Sequence, residues 1–203
     1  MKKQTESEVN ARRNRTVEAA SKVFFRYGYS RTTLGDIAHE AKLHRPALYS
    51  LFPKGKDQLF EAVLLRLVES EVEQYRKAVP KLKTLRQKVL YCVDHWSMGG
   101  FRLTEMHPDA RDAFDMAYPA VRKMYKVLTS FYAELLREAV TASPLGLSAE
   151  QVARLLIFSL RGIKDIAEDA ESMHQLLIQE VDLFLAALLA REDLLSTALD
   201  SKS

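Results

Sequence analysis

Along most of this chain apolar residues recur every three or four positions, the rhythm of helices that bury one face. Val17, Ala20, Val23, Phe24 and Tyr27 form such a stripe, predicting a first helix over Asn10 to Tyr27 that Gly28 stops. Ahead of it, Met1 to Val9 is polar, mixed in charge and without period, and reads as a frayed tail. Thr33 stands three residues before Asp36, so its hydroxyl can cap the free N–H groups of a helix while the carboxylate reaches back. Leu34, Ile37, Ala38 and Ala41 give that helix its apolar face. Lys42-Leu43-His44 has room only for a turn, and Pro46 opens the next helix, with Ala47, Leu48, Leu51 and Phe52 on its inner side. A long helix follows from Lys56 to about Val79, ended by Pro80. Further helices are expected over Leu82 to Ser97, closed by Met98-Gly99-Gly100; briefly after His107-Pro108; from Pro119 to about Val140; from Ser148 to about Ala170; and from Ser172 to about Ala190, before a loose tail. The fold class is all-α.

Two short helices joined by a tight turn at Thr33 to Phe52 have the outline of a helix-turn-helix, whose second helix enters the DNA major groove by its N-terminal end. His44, Arg45 and Pro46 form that end, with Tyr49 and Ser50 one turn on. Apolar spacing alone would fit any small helical hairpin. Charge adds to it: residues 1–56 hold 12 Lys and Arg against 5 Asp and Glu, while the remainder holds 18 against 22. A basic head on a slightly acidic body is the footprint of one part that meets phosphates and another that does not. Arg12, Arg13 and Arg15, read as crowding the first turns of helix one, oppose its dipole and hint at an anionic partner; a solvated basic face is the plainer alternative.

The stretches GYSRTTLGDIAHEA and LHRPALYSLFPKGKDQLFEAV resemble the N-terminal DNA-binding domain of the tetracycline-repressor (TetR) family of bacterial transcription regulators. The resemblance rests on Gly28-Tyr29, Thr32-Thr33, Ile37-Ala38, Leu48-Tyr49, Phe52 and Lys56, and covers roughly residues 10 to 65. It departs from the family pattern at Lys42, where the turn usually has Gly; at His44 and Pro46, for the usual Ser cap and small residue; at Leu51, for an aromatic or His; and in the length of Pro53-Lys54-Gly55. The resemblance implies a three-helix DNA-binding domain over residues 1–56 and a larger helical effector-binding and dimerisation domain over 57–203. It implies that Thr33, Tyr49 and Lys56 meet the DNA backbone and that His44, Arg45, Ala47 and Ser50 face the groove. A hydroxyl, a phenol and an ammonium can each bond a phosphate oxygen and fix register, and Arg45 suits a bidentate guanine contact, or else a phosphate.

In the C-terminal part, the helices at 148–170 and 172–190 are apolar most of the way round, through Leu155, Leu156, Ile157, Phe158, Leu160 and Ile163 and then Leu176, Leu177, Ile178, Val181, Leu183 and Phe184. A helix apolar all round is covered on both sides, and a symmetric homodimer supplies that cover together with two reading heads for a palindromic operator. The aromatic residues Trp96, Phe101, Phe114, Tyr125 and Phe158 are core or, as the resemblance implies, the wall of an effector site, with His95, His107, Arg161 and Lys164 as its polar groups. Asp165, four residues after Arg161, is the competing partner for that guanidinium. A metal-responsive regulator would draw on Cys92, His95 and His107, of which two share a helix face, short of a site. A helical protein-interaction module would explain the dimer helices and leave the basic head without a purpose. No phosphate-cradling Gly loop, nucleophile elbow or paired-His zinc helix points to an enzyme or a cofactor. No stretch reaches the roughly 20 continuous apolar residues of a membrane span, and a lone Cys92 fits a reducing compartment, so the expected location is the cytoplasm. The expectation is therefore a cytoplasmic, ligand-responsive DNA-binding regulator; repression is the habit of the family.

Overall fold

The computed structural model describes residues 6–190, and every regular element among them is helical. The tail expected after Ala190 and the first five residues of the N-terminal tail lie outside the described residues.

Helix α1 (Glu6–Arg31) begins four residues ahead of the expected Asn10, taking in residues read as tail. Glu6 and Glu8 occupy its first turn, where negative charge complements the dipole. Arg12, Arg13 and Arg15 therefore lie beyond the first turn, and the unfavourable dipole inferred from them is not there. Arg13 has a structural use: its guanidinium donates to the Leu51 carbonyl at 2.7 Å and packs 4.3 Å over the Phe52 ring. Tyr27, expected on the inner stripe, is exposed, with the Arg26 guanidinium over its ring. At Gly28 the backbone leaves the helical region (φ 78°, ψ 168°), so Gly28 ends the regular helix as expected and Tyr29 to Arg31 form a separate last turn.

Helix α2 (Leu34–Glu40) opens with the expected reciprocal cap, Thr33 and Asp36 each bonding the other's backbone N–H. In the turn Lys42 takes the left-handed conformation usually left to Gly, at φ 52°. Helix α3 (Arg45–Leu51) follows, capped by the backbone alone because the His44 side chain makes no cap bond. Helix α4 (Lys56–Ala78) ends in a 3₁₀ turn at Val79–Lys81, where Pro80 stops the ladder.

Helix α5 (Leu85–Met106) does not close at Gly99-Gly100 but runs through both. Each glycine costs about 1 kcal/mol in a helix interior. Burial of Met98 and Phe101 on either side offsets that cost, and Gly100 leaves the space that the Lys164 amine fills. A 3₁₀ helix spans Pro108–Phe114, and Pro119 opens α6 (Pro119–Thr141). Helix α7 (Ala149–Ile166) starts at a Ser148–Gln151 capping box and ends before Ala170. Helix α8 (Ala170–Leu188) starts two residues earlier than expected, because Asp169 is its cap and Ser172 the reciprocal third residue.

The chain forms two compact units that do not follow its order: one is Met1–Ser70 with Leu103–Tyr125, the other Glu71–Arg102 with Lys126–Ser203. The first buries Phe24, Ile37, Leu48, Phe52, Leu59 and Phe60. Its aromatic centre joins Phe24, Tyr29, Phe60 and Tyr118, with neighbouring ring centroids 4.5–6.0 Å apart. The second buries Tyr75, Cys92, Tyr132, Leu136, Leu156, Met173 and Leu177.

Candidate nucleic-acid interface

The helix pair α2–α3 is seated from beneath by apolar contacts and from behind by an irregular link, Gly28 to Thr33. A chain leaving a helix carries unpaired N–H and C=O groups that must find partners. Here side chains from two other places, and Thr32 of the link itself, supply them. The Asp112 carboxylate accepts the N–H groups of Tyr29 and Ser30, both at 2.7 Å. The Lys56 ammonium donates to the carbonyls of Tyr29 and Thr32 at 2.8 and 3.0 Å and lies 4.2 Å from the centre of the Tyr29 ring. Buried Thr32 returns its hydroxyl to the Gly28 carbonyl at 2.6 Å. Burial, with the hydrogen bond that the Tyr29 hydroxyl donates to Asp57, raises that phenol well above its ordinary range. Arg31 pairs with Asp109, and the Ser30 and Tyr118 hydroxyls bond each other. Gly28 is required twice over: its φ is left-handed, and a Cβ there would strike the Asp109 carbonyl and the Asp112 carboxylate.

Against this seat the expected DNA-contacting residues divide. His44, the cap, and Arg45, Tyr49 and Ser50 of α3 are exposed, with Ala47 half-buried. Tyr49, at 49% exposure, is not a core tyrosine, so its phenol is open to a phosphate. Arg45 folds back toward α2, its Nη2 2.6 Å from where a Cβ on Gly35 would stand. There it adds to the field that keeps the Asp36 carboxyl below its usual range, chiefly the work of hydrogen bonds from Thr33. Thr33 is exposed at the start of α2, its hydroxyl already donating to Asp36 at 2.7 Å. Lys56 is half-buried, and its bonds to Tyr29 and Thr32 give it a structural duty the sequence reading did not include.

Sequence reasoning also missed Asp112, Asp57 and Tyr118. The trace they leave is faint: Asp109, Asp112 and Asp115 recur every three residues, the period of the 3₁₀ helix that carries the first two.

The expected effector residues are spread over both units. Phe114 stacks on Phe25 in the first, with centroids 5.9 Å apart, and Tyr125 is buried there. In the second unit Trp96 and Arg161 are half-buried, Phe101 is buried and Phe158 is exposed. His95 is exposed, stacked on Tyr91 with Nε2 3.9 Å from the Glu71 carboxylate. Burial and the neighbouring Arg161 pull the Lys164 ammonium down to about 8, against a smaller opposing pull from Asp165. The metal reading gains nothing: among the described residues no three His, Cys, Asp or Glu side chains are placed to hold an ion, and burial pushes the Cys92 thiol up to about 12. No described helix is long and apolar enough to cross a membrane.

Residues 17–63 match the family model described as bacterial regulatory proteins, tetR family. No curated protein matches the chain. Among solved structures it is similar to a TetR-family transcriptional regulator from Pectobacterium atrosepticum, with 20% identity, a TM-score of 0.68, and 93% of this chain and 99% of that one covered. It is similar to FadR of Thermus thermophilus, a TetR-family repressor solved with lauroyl-CoA, with 19% identity, a TM-score of 0.65, and 89% and 96% covered. GusR of Salmonella enterica gives 20% identity, a TM-score of 0.63, and 93% and 99% covered. At such identities the likeness is one of fold along nearly the whole chain, while the family model matches the segment built around α2 and α3.

Proposed function

We propose, from the tetR-family match over residues 17–63 and the fold it shares with TetR-family regulators, that the chain is a homodimeric repressor released from a palindromic operator by a small molecule. Residues 1–56 read DNA, and residues 57–203 dimerise and sense, with the segment 103–125 serving as part of the reading head's seat. The observation that carries this reading is the α3 edge: four polar side chains, His44, Arg45, Tyr49 and Ser50, exposed together on a short helix whose apolar side is buried. Arg45 and Ser50 face the groove with His44 and Ala47, while Thr33, Tyr49 and Lys56 meet phosphates and fix register.

Dimerisation follows from α7 and α8. Leu155, Ile166 and Leu183 are 59%, 66% and 70% exposed, and Phe158 and Leu189 are exposed with them. On α7 the exposed residues Leu155, Phe158, Ser159, Gly162 and Ile166 fall at helical spacing, and on α8 Leu183, Ala186 and Ala187 do the same. A second copy covers such faces by two-fold symmetry, giving two reading heads. The effector acts on the second unit, through Trp96, Phe101 and Arg161. The lauroyl-CoA held by the Thermus regulator is an apolar chain with an anionic head, a ligand type that suits aromatic walls beside a cation.

Selection of genomic fragments by the purified full-length protein at near-physiological salt tests the reading. One or a few sites sharing an inverted repeat are expected. Only diffuse, salt-sensitive binding from protein shown to be free of bound small molecules would refute it.

A further inference from the structure

The exposed edge of α3 is shaped by a residue of α2. Gly35 is the second residue of that helix, a place where alanine would form the helix better. Its backbone is not left-handed, so no turn requires it. What it supplies is space. A Cβ there would stand 2.6 Å from Nη2 of Arg45, closer than non-bonded atoms come, with Cζ 3.5 Å away. The guanidinium therefore lies against α2, over the side chain that Gly35 lacks. The Thr33 hydroxyl is 3.3 Å from the same point, so Arg45 shares this small area with a residue expected at the DNA backbone.

Asp36 completes the arrangement. Its carboxylate accepts from the Thr33 N–H at 2.8 Å and from the Thr33 hydroxyl at 2.7 Å, which ties it to the start of α2. The Arg45 guanidinium is near enough to favour the charge on Asp36, after the larger effect of the Thr33 bonds. At the root of the arm, Pro46 fixes the φ of the residue that follows Arg45. An exposed arginine ordinarily gives up rotamer freedom when it is frozen on a partner, and an arm held beforehand gives up less. A phosphate presents oxygens in several directions and carries no sequence information, whereas the edge of a guanine takes two N–H groups in one plane. The second use gains most from an arm with a cleared and fixed path. We infer that Gly35 and Asp36 are specificity-determining positioning residues, which hold the Arg45 guanidinium where its fork meets one guanine of the operator. The inference rests on the regulator reading above, and neither residue needs to touch that base.

The test selects binding sites from a pool of random duplexes with the full-length protein, then titrates the recovered operator and random DNA. Wild-type protein is expected to enrich an inverted repeat with one guanine in each half-site whose preference Arg45→Ala relaxes. In Gly35→Ala the ratio of operator to random affinity falls roughly fivefold to a hundredfold, the worth of one bidentate base contact, with relaxation at that same guanine and little change on random DNA. Alanine suits the helix, and the atom it meets first is the free end of a long side chain, so the arm moves and the fold is kept, as melting curves verify. Once Arg45 is alanine, Gly35→Ala has no further effect, which separates displacement of the arm from a push on Thr33. Asp36→Asn keeps an acceptor for the Thr33 N–H; it relaxes the same guanine while strengthening binding to random DNA, because an acid near the phosphates has gone. An unchanged guanine preference in Gly35→Ala overturns the inference, as does a preference that Arg45→Ala leaves intact or a loss that persists when Arg45 is already alanine. Any of these beside a recovered operator leaves the regulator reading standing, whereas wild-type protein that enriches no sequence removes both.

Discussion

Replacing Asp112 tests whether the link between α1 and α2 is held as described. Its carboxylate accepts two N–H groups, those of Tyr29 and Ser30, each at 2.7 Å. Hydrogen bonds to a charged acceptor contribute about 1.5–3 kcal/mol each when water cannot replace them. The Ser30 bond is exposed and water takes it over, so the Tyr29 bond carries most of the effect. Asp112→Ala is therefore expected to cost about 2–3 kcal/mol of stability. Asp112→Asn should cost less, because its amide oxygen can still accept the Tyr29 N–H while the amide nitrogen faces only the exposed Ser30 N–H. Urea unfolding of the full-length protein, followed by circular dichroism, measures both. Gly28 supplies a cross-check: a Cβ there would meet the Asp112 carboxylate as well as the Asp109 carbonyl. Gly28→Ala and Asp112→Ala should then be non-additive, the double variant less damaged than the sum of the singles, since one of the two collisions is gone. A loss below about 0.5 kcal/mol in Asp112→Ala, the range of ordinary surface changes, would refute the clamp.

Other consequences are as direct. Lys56→Met should weaken specific and random DNA alike and flatten the salt dependence of binding, and it should also lower stability by about 1–3 kcal/mol, because two carbonyls lose a charged donor; binding titrations over a salt series and urea unfolding check both parts. Arg45→Ala should cost about 1–3 kcal/mol on the operator and little on random DNA, and equal losses on both would make Arg45 a phosphate contact. For Lys164, the folded-state pKa of about 8 lies below the ordinary 10.5, so between those values the unfolded chain holds more protons and stability rises with pH. Lys164→Met should thus be more stable than the parent below pH 8 by up to about 3 kcal/mol, with the gap closing as pH climbs toward 10; a gap that is constant across that range in paired denaturation series would contradict the burial. Leu183→Glu places a charge on the exposed α8 face and should shift sedimentation from dimer to monomer while the melting curve stays cooperative.

What the sequence disclosed and what it hid divide along a physical line. The Thr33–Asp36 box, the Pro46 and Pro119 helix starts and the Pro80 stop are decided within four residues, and each is found where local chemistry puts it. Lys42 accepts φ 52° because the helices on either side fix the turn, so an absent Gly did not change its course. Gly99 and Gly100 misled because local propensity says stop, whereas the burial of Met98 and Phe101 belongs to the packed unit and the side chain that fills the space at Gly100, Lys164, is far away in the chain. The exposed edge of α3 was legible in its residue types, but the back of the same site was not. Asp112 meets Tyr29 across 83 positions, and nothing around either residue announces the other.

That hidden half bears on how such a head can be controlled. Helix α2 begins where the link ends, so the placement of Thr33, and with it the helix pair, depends on partners that lie outside residues 28–52. Lys56 and Asp57 come from α4, Asp109 and Asp112 from the 3₁₀ helix, and Tyr118 from the turn before α6. The boundaries between the two units fall within α4 and α6 and near the end of α5, so each of these partners is joined by helical chain or a short connection to the second unit. An alteration in the link's partners can therefore change DNA affinity without touching a residue that meets DNA. The distinguishing sign is which parameter moves: a lost phosphate contact lowers the salt slope by about one, whereas a loosened link weakens operator binding at an unchanged slope because every contact survives in the bound form. Asp112→Ala belongs to the second kind and Lys56→Met to both.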